Sequence, residues 1–139
     1  MKNAIAADAL ALAAAATCVV LAPAASAAPA APAACATNTL TTGPREGVGT
    51  QVRKSATSSC SDLNLVYVDD KTVYGYDGYA GRLYHTSTTS WKTCDAGYIW
   101  LYDGSYAVDS ELLCTNVADN TLFTVASAAN GGDTVKVVH

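Results

Sequence analysis

The sequence predicts an all-β domain, a small antiparallel barrel or sandwich held by two disulfides. Three observations lead there. From Leu63 onward, short β-prone runs alternate with turn signals. Four cysteines follow the N-terminal leader, an even count. All eight tyrosines and both tryptophans lie between Tyr67 and Tyr106. Such residues carry an apolar ring and a polar tip, which suits half-buried strands and wet binding surfaces. Strand after strand at this spacing is the pattern of an antiparallel barrel or sandwich.

The elements follow in order. Residues 1–27 read as a signal peptide: Lys2 supplies the positive end, Ala9 to Ala22 the apolar run, and Ala25-Ser26-Ala27 the cleavage site. That run is shorter than the roughly 20 residues a spanning helix needs, so no stable membrane anchor is expected. Removing 27 residues leaves 112 of 139, one domain's worth, with the net charge still −4. Residues 28–59 begin with an Ala/Pro run that ends at Ala36 and reads as an extended tether. They continue as a Thr/Ser/Gly-rich loop with a weak strand around Thr50 to Lys54. Residues 60–139 form the β domain. Its first strand is Leu63 to Val68, broken at Asp69-Asp70-Lys71. Thr72 to Tyr76 and Arg82 to Thr86 follow, separated by a turn at Asp77-Gly78. A polar break runs through Ser90. Tyr98 to Tyr102 and Ser105 to Asp109 are predicted to form a hairpin around Asp103-Gly104, a pair that accepts the positive φ angles of a type I′ turn. Asp109 to Leu113 reads as a short helical turn. Thr121 to Ser127 and Thr134 to Val138 flank Asn130-Gly131-Gly132-Asp133.

Cys18 leaves with the leader. Cys35, Cys60, Cys94 and Cys114 remain, and an exported chain of this size pairs them. No Cys-x-x-Cys motif points to zinc, and no metal ligand set or cofactor is expected. The Asp103-Gly104 hairpin sets Tyr102 opposite Ser105, which brings Cys94 within one residue of Cys114. A single bulge corrects that offset. The predicted pairs are Cys94–Cys114 and, by elimination, Cys35–Cys60.

The same hairpin sorts side chains by face. Ile99, Leu101, Tyr106 and Val108 make a core face. Tyr98, Trp100 and Tyr102 make a row of rings beside Ser105, Ala107 and Asp109. Either the row is an exposed platform that stacks sugars or anchors a protein surface, or a second layer covers it, with Phe123 or Tyr84 on Trp100. Tyr74 and Tyr76 share a face and extend the platform. The candidate ligand-binding residues are therefore Tyr98, Trp100, Tyr102, Tyr74 and Tyr76.

Composition removes other classes. The one local basic spot, Arg53-Lys54, reads as a solvated loop, so nucleic acid is not an expected partner. The two histidines are His85 and the chain-terminal His139, the latter expected to be mobile. No Gly-x-Ser-x-Gly elbow supports a triad. Asp69, Asp70, Asp77, Asp103 and Asp133 sit at turn positions, which explains them without catalysis.

Leu63-Asn64, Gly97, Trp100-Leu101, Asp103-Gly104, Tyr106 and Val108 resemble the layout of bacterial SH3-like modules of exported proteins, over about Cys60 to Cys114. The Arg and Gly-Pro that follow Leu-Asn in that family are missing here. The resemblance implies an SH3-like meander that binds cell-wall peptide or protein surfaces. Cys94-Asp95-Ala96-Gly97-Tyr98 through Tyr102 is also similar to a stretch of small secreted crystallin-like protease inhibitors, which usually carry a Cys where Ile99 or Trp100 stands.

The leading expectation is a secreted, monomeric, non-enzymatic binding module for a cell-wall component, glycan or extracellular protein. The alternatives are a protease inhibitor acting through Thr41 to Ser59 and a small extracellular hydrolase.

Overall fold

The computed structural model describes residues 34–139. The leader, its cleavage site, Cys18 and most of the Ala/Pro run lie outside the described residues. Ten strands are present: β1 (Thr37–Thr41), β2 (Val52–Arg53), β3 (Leu63–Asp69), β4 (Tyr76–His85), β5 (Ser90–Thr93), β6 (Ile99–Tyr102), β7 (Gly104–Ser105), β8 (Leu112–Cys114), β9 (Leu122–Ser127) and β10 (Thr134–Val138). They form two antiparallel sheets. One runs β1-β10-β3, with β7 and β8 both on the free side of β3; the other runs β2-β9-β4, with β5 and β6 both on the free side of β4. Neither sheet closes into a barrel, so the architecture is the sandwich. No helix occurs among the described residues.

The core lies between the sheets. Leu40, Leu63, Leu65, Val68, Val135 and Val137 come from the first sheet, and Tyr79, Leu101, Phe123 and Val125 from the second. Alternation places them: in β4, Tyr79 and Leu83 face the core while Tyr76, Gly78, Ala80, Arg82 and Tyr84 face outward.

The predicted hairpin does not form. β6 pairs with β4 and β7 pairs with β3, so the chain changes sheets at Asp103. Gly104 has a positive φ of 150°, but Asp103 does not take the left-handed angle that a type I′ turn needs. β5 and β6 are two pieces of one edge strand. Between the Arg82–Thr93 and Tyr79–Ile99 pairs β4 spends three residues and its partner six. The surplus makes an excursion at Cys94 to Tyr98. Likewise β7 and β8 are two pieces of the opposite sheet's edge.

Both predicted disulfides are present, Cys35–Cys60 and Cys94–Cys114. The second is a cross-sheet staple rather than a bridge across a hairpin. Cys94 leaves the β5 edge and meets Cys114 on β8, directly over Gly81 of β4. A Cβ on Gly81 would lie 2.4 Å from the Cys114 sulfur and 2.9 Å from Leu113 Cβ, so only glycine fits there.

Other expectations shift for identifiable reasons. Asp77-Gly78 lies inside β4 and makes no turn: the Asp77 carboxylate accepts from Gly78 N and Ala129 N. Thr72 to Tyr76 is a turn, with strand starting only at Tyr76. The polar break is a turn over residues 86–89, with Ser90 already in the strand Ser90–Thr93, and of the helical turn predicted at Asp109 to Leu113 the last two residues belong instead to β8. The Thr/Ser-rich segment supplies β1, whose Leu40 is buried. Val108 is 54 % exposed and does not join the core. Lys54 is buried, bonded to Asp119 at 2.9 Å and to Ser55 O at 2.8 Å, so this half of the basic spot is not solvated.

Gly81→Ala is expected to destabilise the domain by about 2–3 kcal/mol, the cost of overpacking against a fixed staple. Replacing Cys94 and Cys114 together with Ser is expected to cost about 3 kcal/mol through a freer unfolded chain. Urea unfolding of the three proteins checks both values.

Candidate functional site

Three crossings between the sheets gather at one end of the sandwich: residues 70–75 between β3 and β4, Asp103 between β6 and β7, and residues 128–133 between β9 and β10. A chain leaving a sheet abandons ladder partners, so its backbone N–H groups need other acceptors. Aspartates supply them. Asp70 accepts from Thr72 N, Tyr76 N and, at 2.6 Å, the Thr72 hydroxyl. Asp103 accepts from Asp70 N at 2.7 Å, and Asp133 from Lys71 N and the Thr42 hydroxyl. The turn chemistry read from the sequence holds for these residues, and it reaches across crossings as well as within them.

The aromatic surface stands on this knot. Trp100 and Tyr102 project from the outer face of β6, opposite Gly78 and Tyr76 of β4. They are 55 % and 68 % exposed, and Tyr76 is 41 % exposed. The Tyr76 ring lies 5.7 Å from Trp100, stacked at 28°, and 4.5 Å from Tyr102. Gly78 permits the arrangement: a Cβ there would sit 3.2 Å from the indole and 3.1 Å from Ala128 Cβ. The indole therefore rests against bare backbone with its other side in solvent. Neither Phe123, which is fully buried in the core, nor Tyr84, which pairs with Trp91, covers Trp100. The expected five-residue platform is narrower. Tyr74, 83 % exposed, sits on the crossing loop beside it. Tyr98 is half-buried, and its hydroxyl is engaged with Glu46, accepting from Glu46 N at 2.9 Å.

A cleft of about 350 Å³ opens beside the indole, lined by Trp100, Tyr76, Tyr74, Thr72, Asn130 and Arg45 among others. Arg45 comes from the β1–β2 loop, which lies over the middle of the same sheet face. Buried Arg82 holds that loop, donating to the carbonyls of Glu46 and Gly47 and to Trp91 O, and pairing with the Glu46 carboxylate at 3.5 Å. Glu46 adopts φ +55°, an uncommon angle for a side-chain-bearing residue, and its carboxylate accepts from the Thr93 and Tyr98 hydroxyls. The Arg45 guanidinium lies 5.3 Å over the Tyr98 ring. Nothing local in residues 43–47 ties this loop to the aromatic face, because the Arg82 that holds it there is distant in the chain.

No cluster of three or more His, Cys, Asp or Glu side chains among the described residues is arranged to hold a metal ion. His85 lies apart from the aromatic surface, in a second cleft of about 290 Å³ beside Lys92 and the Cys94–Cys114 staple. His139 is the opposite of mobile. It is buried, its Nδ1 accepts from Ser55 N at 2.9 Å, its Nε2 meets Asn38 Oδ1 at 2.7 Å, and its ring stands edge-on to Phe123. Burial, then the nearby Lys54 charge, pulls its pKa below the ordinary histidine value of 6.5. Tyr79 is buried with its hydroxyl unpartnered among the described residues. Burial, then the charges of Asp133, Asp70, Asp77 and Asp103, pushes its pKa above the ordinary tyrosine value.

Signs follow from linkage. The depressed His139 contributes stability that is present above pH 6.5 and lost as pH falls toward the folded pKa. Denaturant titrations are expected to show stability declining below about pH 6.5, and His139→Gln is expected to flatten that decline. The raised Tyr79 contributes stability that is lost above its unfolded pKa of 10.0. Tyr79→Phe is expected to delay alkaline unfolding and, by removing an unpaired buried hydroxyl, to stabilise the neutral protein by about 1–2 kcal/mol in thermal melts. Comparison of the chain with protein-family models, with curated proteins and with solved structures finds no significant match.

Proposed function

We propose that this chain is an exported, non-enzymatic binding module that holds a component of the bacterial cell wall on the Tyr76–Trp100–Tyr102 surface. One observation carries the reading. Three large rings pack together at the open end of a sheet face, Trp100 stacked on Tyr76 and Tyr102 tilted against it, and nothing among the described residues covers them. A folded domain spends solvation free energy to keep such a patch in water, and patches of this kind mark contact surfaces. Trp and Tyr are also the side chains that most often anchor a partner.

Supporting features agree. Two disulfides fit an oxidising compartment, and no helix among the described residues is long and apolar enough to cross a membrane. The signal-peptide pattern of residues 1–27 supports export. The carboxylates nearest the rings are committed to backbone N–H groups, which speaks for a structural role over acid–base chemistry. The likeness to exported SH3-like modules points to the same partner class. The inhibitor reading ranks second: Pro44 to Gly47, the exposed tip of Thr41 to Ser59, closes as a tight turn through Gly47 N to Pro44 O at 2.7 Å. Proteases read extended segments more readily than such a turn.

Trp100→Ala is expected to keep the far-ultraviolet circular dichroism spectrum and to melt within a few degrees of the native protein, since the ring packs on one face only. It is also expected to abolish co-sedimentation with purified bacterial cell walls. Undiminished sedimentation of this variant would overturn the proposal, and stoichiometric inhibition of an extracellular protease by the native protein would favour the second reading.

A further inference from the structure

The outer face of the second sheet carries aromatic residues at both ends. Along β4, Tyr76, Gly78, Arg82 and Tyr84 all face outward. Gly78 lies opposite Trp100, and Tyr84 lies opposite Trp91. The Tyr84 and Trp91 rings are 5.4 Å apart and half-buried. Six residues separate Gly78 from Tyr84, so the two aromatic groups stand ~20 Å apart on one straight strand. Tyr98 lies between them on the same side of β4. Above it are Glu46, bonded to the Thr93 and Tyr98 hydroxyls, and Arg45, which has no ion-pair partner among the described residues.

We infer that this face is one extended site for a neutral linear glycan, with Trp100 and Trp91 as its two stacking positions and Arg45 and Glu46 as the polar contacts between them. The inference rests on the binding-module reading above and deepens it. Aromatic rings suit the apolar faces of sugar rings, and Trp100 is exposed while Trp91 is partly exposed. Arg45, without an ion-pair partner among the described residues, offers N–H donors to sugar hydroxyls, the exposed Glu46 carboxylate is already balanced by Arg82, and the negative charges of Asp70 and Asp77 lining the cleft disfavour a polyanion. A peptide strand is the poorer fit. The free edge here is broken by the Cys94 to Tyr98 excursion, and the Tyr102 carbonyl already accepts from the Tyr106 hydroxyl at 2.6 Å. Strand addition needs an unbroken edge. Neither Trp91 nor Tyr84 lines the cleft beside Trp100, so the second aromatic pair is a separate contact position on the same face.

The test is calorimetric titration of the native protein with chito-, cello-, xylo- and α-1,4-gluco-oligosaccharides of two and six rings. At least one series is expected to bind, with the six-ring member at least tenfold tighter than the two-ring member. In that series Trp91→Ala should weaken the six-ring oligomer about tenfold and leave the two-ring oligomer unchanged, while Trp100→Ala should abolish both. Arg82 bonds to the Trp91 carbonyl and not to its ring, so the loop clamp survives the substitution. If the alanine variant does not fold, Trp91→Leu keeps the apolar bulk without the flat ring and is expected to show the same loss. Equal affinity for both lengths, or indifference of the six-ring oligomer to Trp91, overturns the extended site and leaves the Trp100 platform standing. Failure of all four series overturns the glycan assignment, whereas failure of cell walls to retain the native protein overturns the underlying reading.

Discussion

The change of sheet at Asp103 is the constraint on which the rest of this structure depends. Thirteen residues, 90–102, run along the edge of one sheet, and the chain then crosses to edge the other. One crossing fixes where the core closes, which face of β6 meets solvent, and how Cys94 reaches Cys114. A hairpin at the same point would have set β7 on the free edge of β6 and taken it from the edge of β3. Two sheets with a long shared edge bury more apolar surface than a single ribbon, and that burial is the dominant favourable term.

Crossing carries a penalty in unsatisfied backbone donors, and the aspartates offset it. Asp70, Asp103 and Asp133 belong to different crossings, yet each accepts a hydrogen bond from a backbone group or hydroxyl of its own or a neighbouring crossing. The concentration of negative charge is tolerated because the partners are local dipoles. Burial first, and then the neighbouring charges of Asp70 and Asp77, raise the pKa of Asp133. Asp70, with the Thr72 and Tyr76 contacts outweighing its burial, is held below the ordinary carboxylate value. This tied corner lets Tyr76, Trp100 and Tyr102 stand exposed on a firm base. A binding surface gains affinity when its side chains are held in place before the partner arrives.

The middle of the same face is organised by Arg82. Its guanidinium reaches through the sheet's outer surface to the carbonyls of Glu46 and Gly47, and so fixes a loop about 36 residues earlier in the chain. That loop covers Ala80, Thr124 and Ala126, which are fully buried although they lie on the outward face. The face is thereby divided into a covered centre and two aromatic ends.

Much of this was legible in the residues. The β class followed from alternation and turn spacing, the presence of two disulfides from an even cysteine count, and the placing of Trp100 and Tyr102 on the face opposite Leu101 from a period of two, with the covering of that face left open. The Cys94–Cys114 pair was reached through a hairpin that does not exist, since proximity along an edge and proximity across sheets impose similar separations. What the chain could not disclose is long-range. Asp-Gly is compatible with a hairpin or a crossing, and only the placement of β7 against β3 instead of β6 decides between them. Tyr98 lost its place in the platform, and His139 its mobility, to hydrogen bonds with residues far off in sequence, Glu46 in one case and Asn38 and Ser55 in the other. Local pattern determined which side chains alternate and where strands end; tertiary packing alone decided which strands share a sheet, because pairing is settled by the total area and number of hydrogen bonds gained across the whole domain.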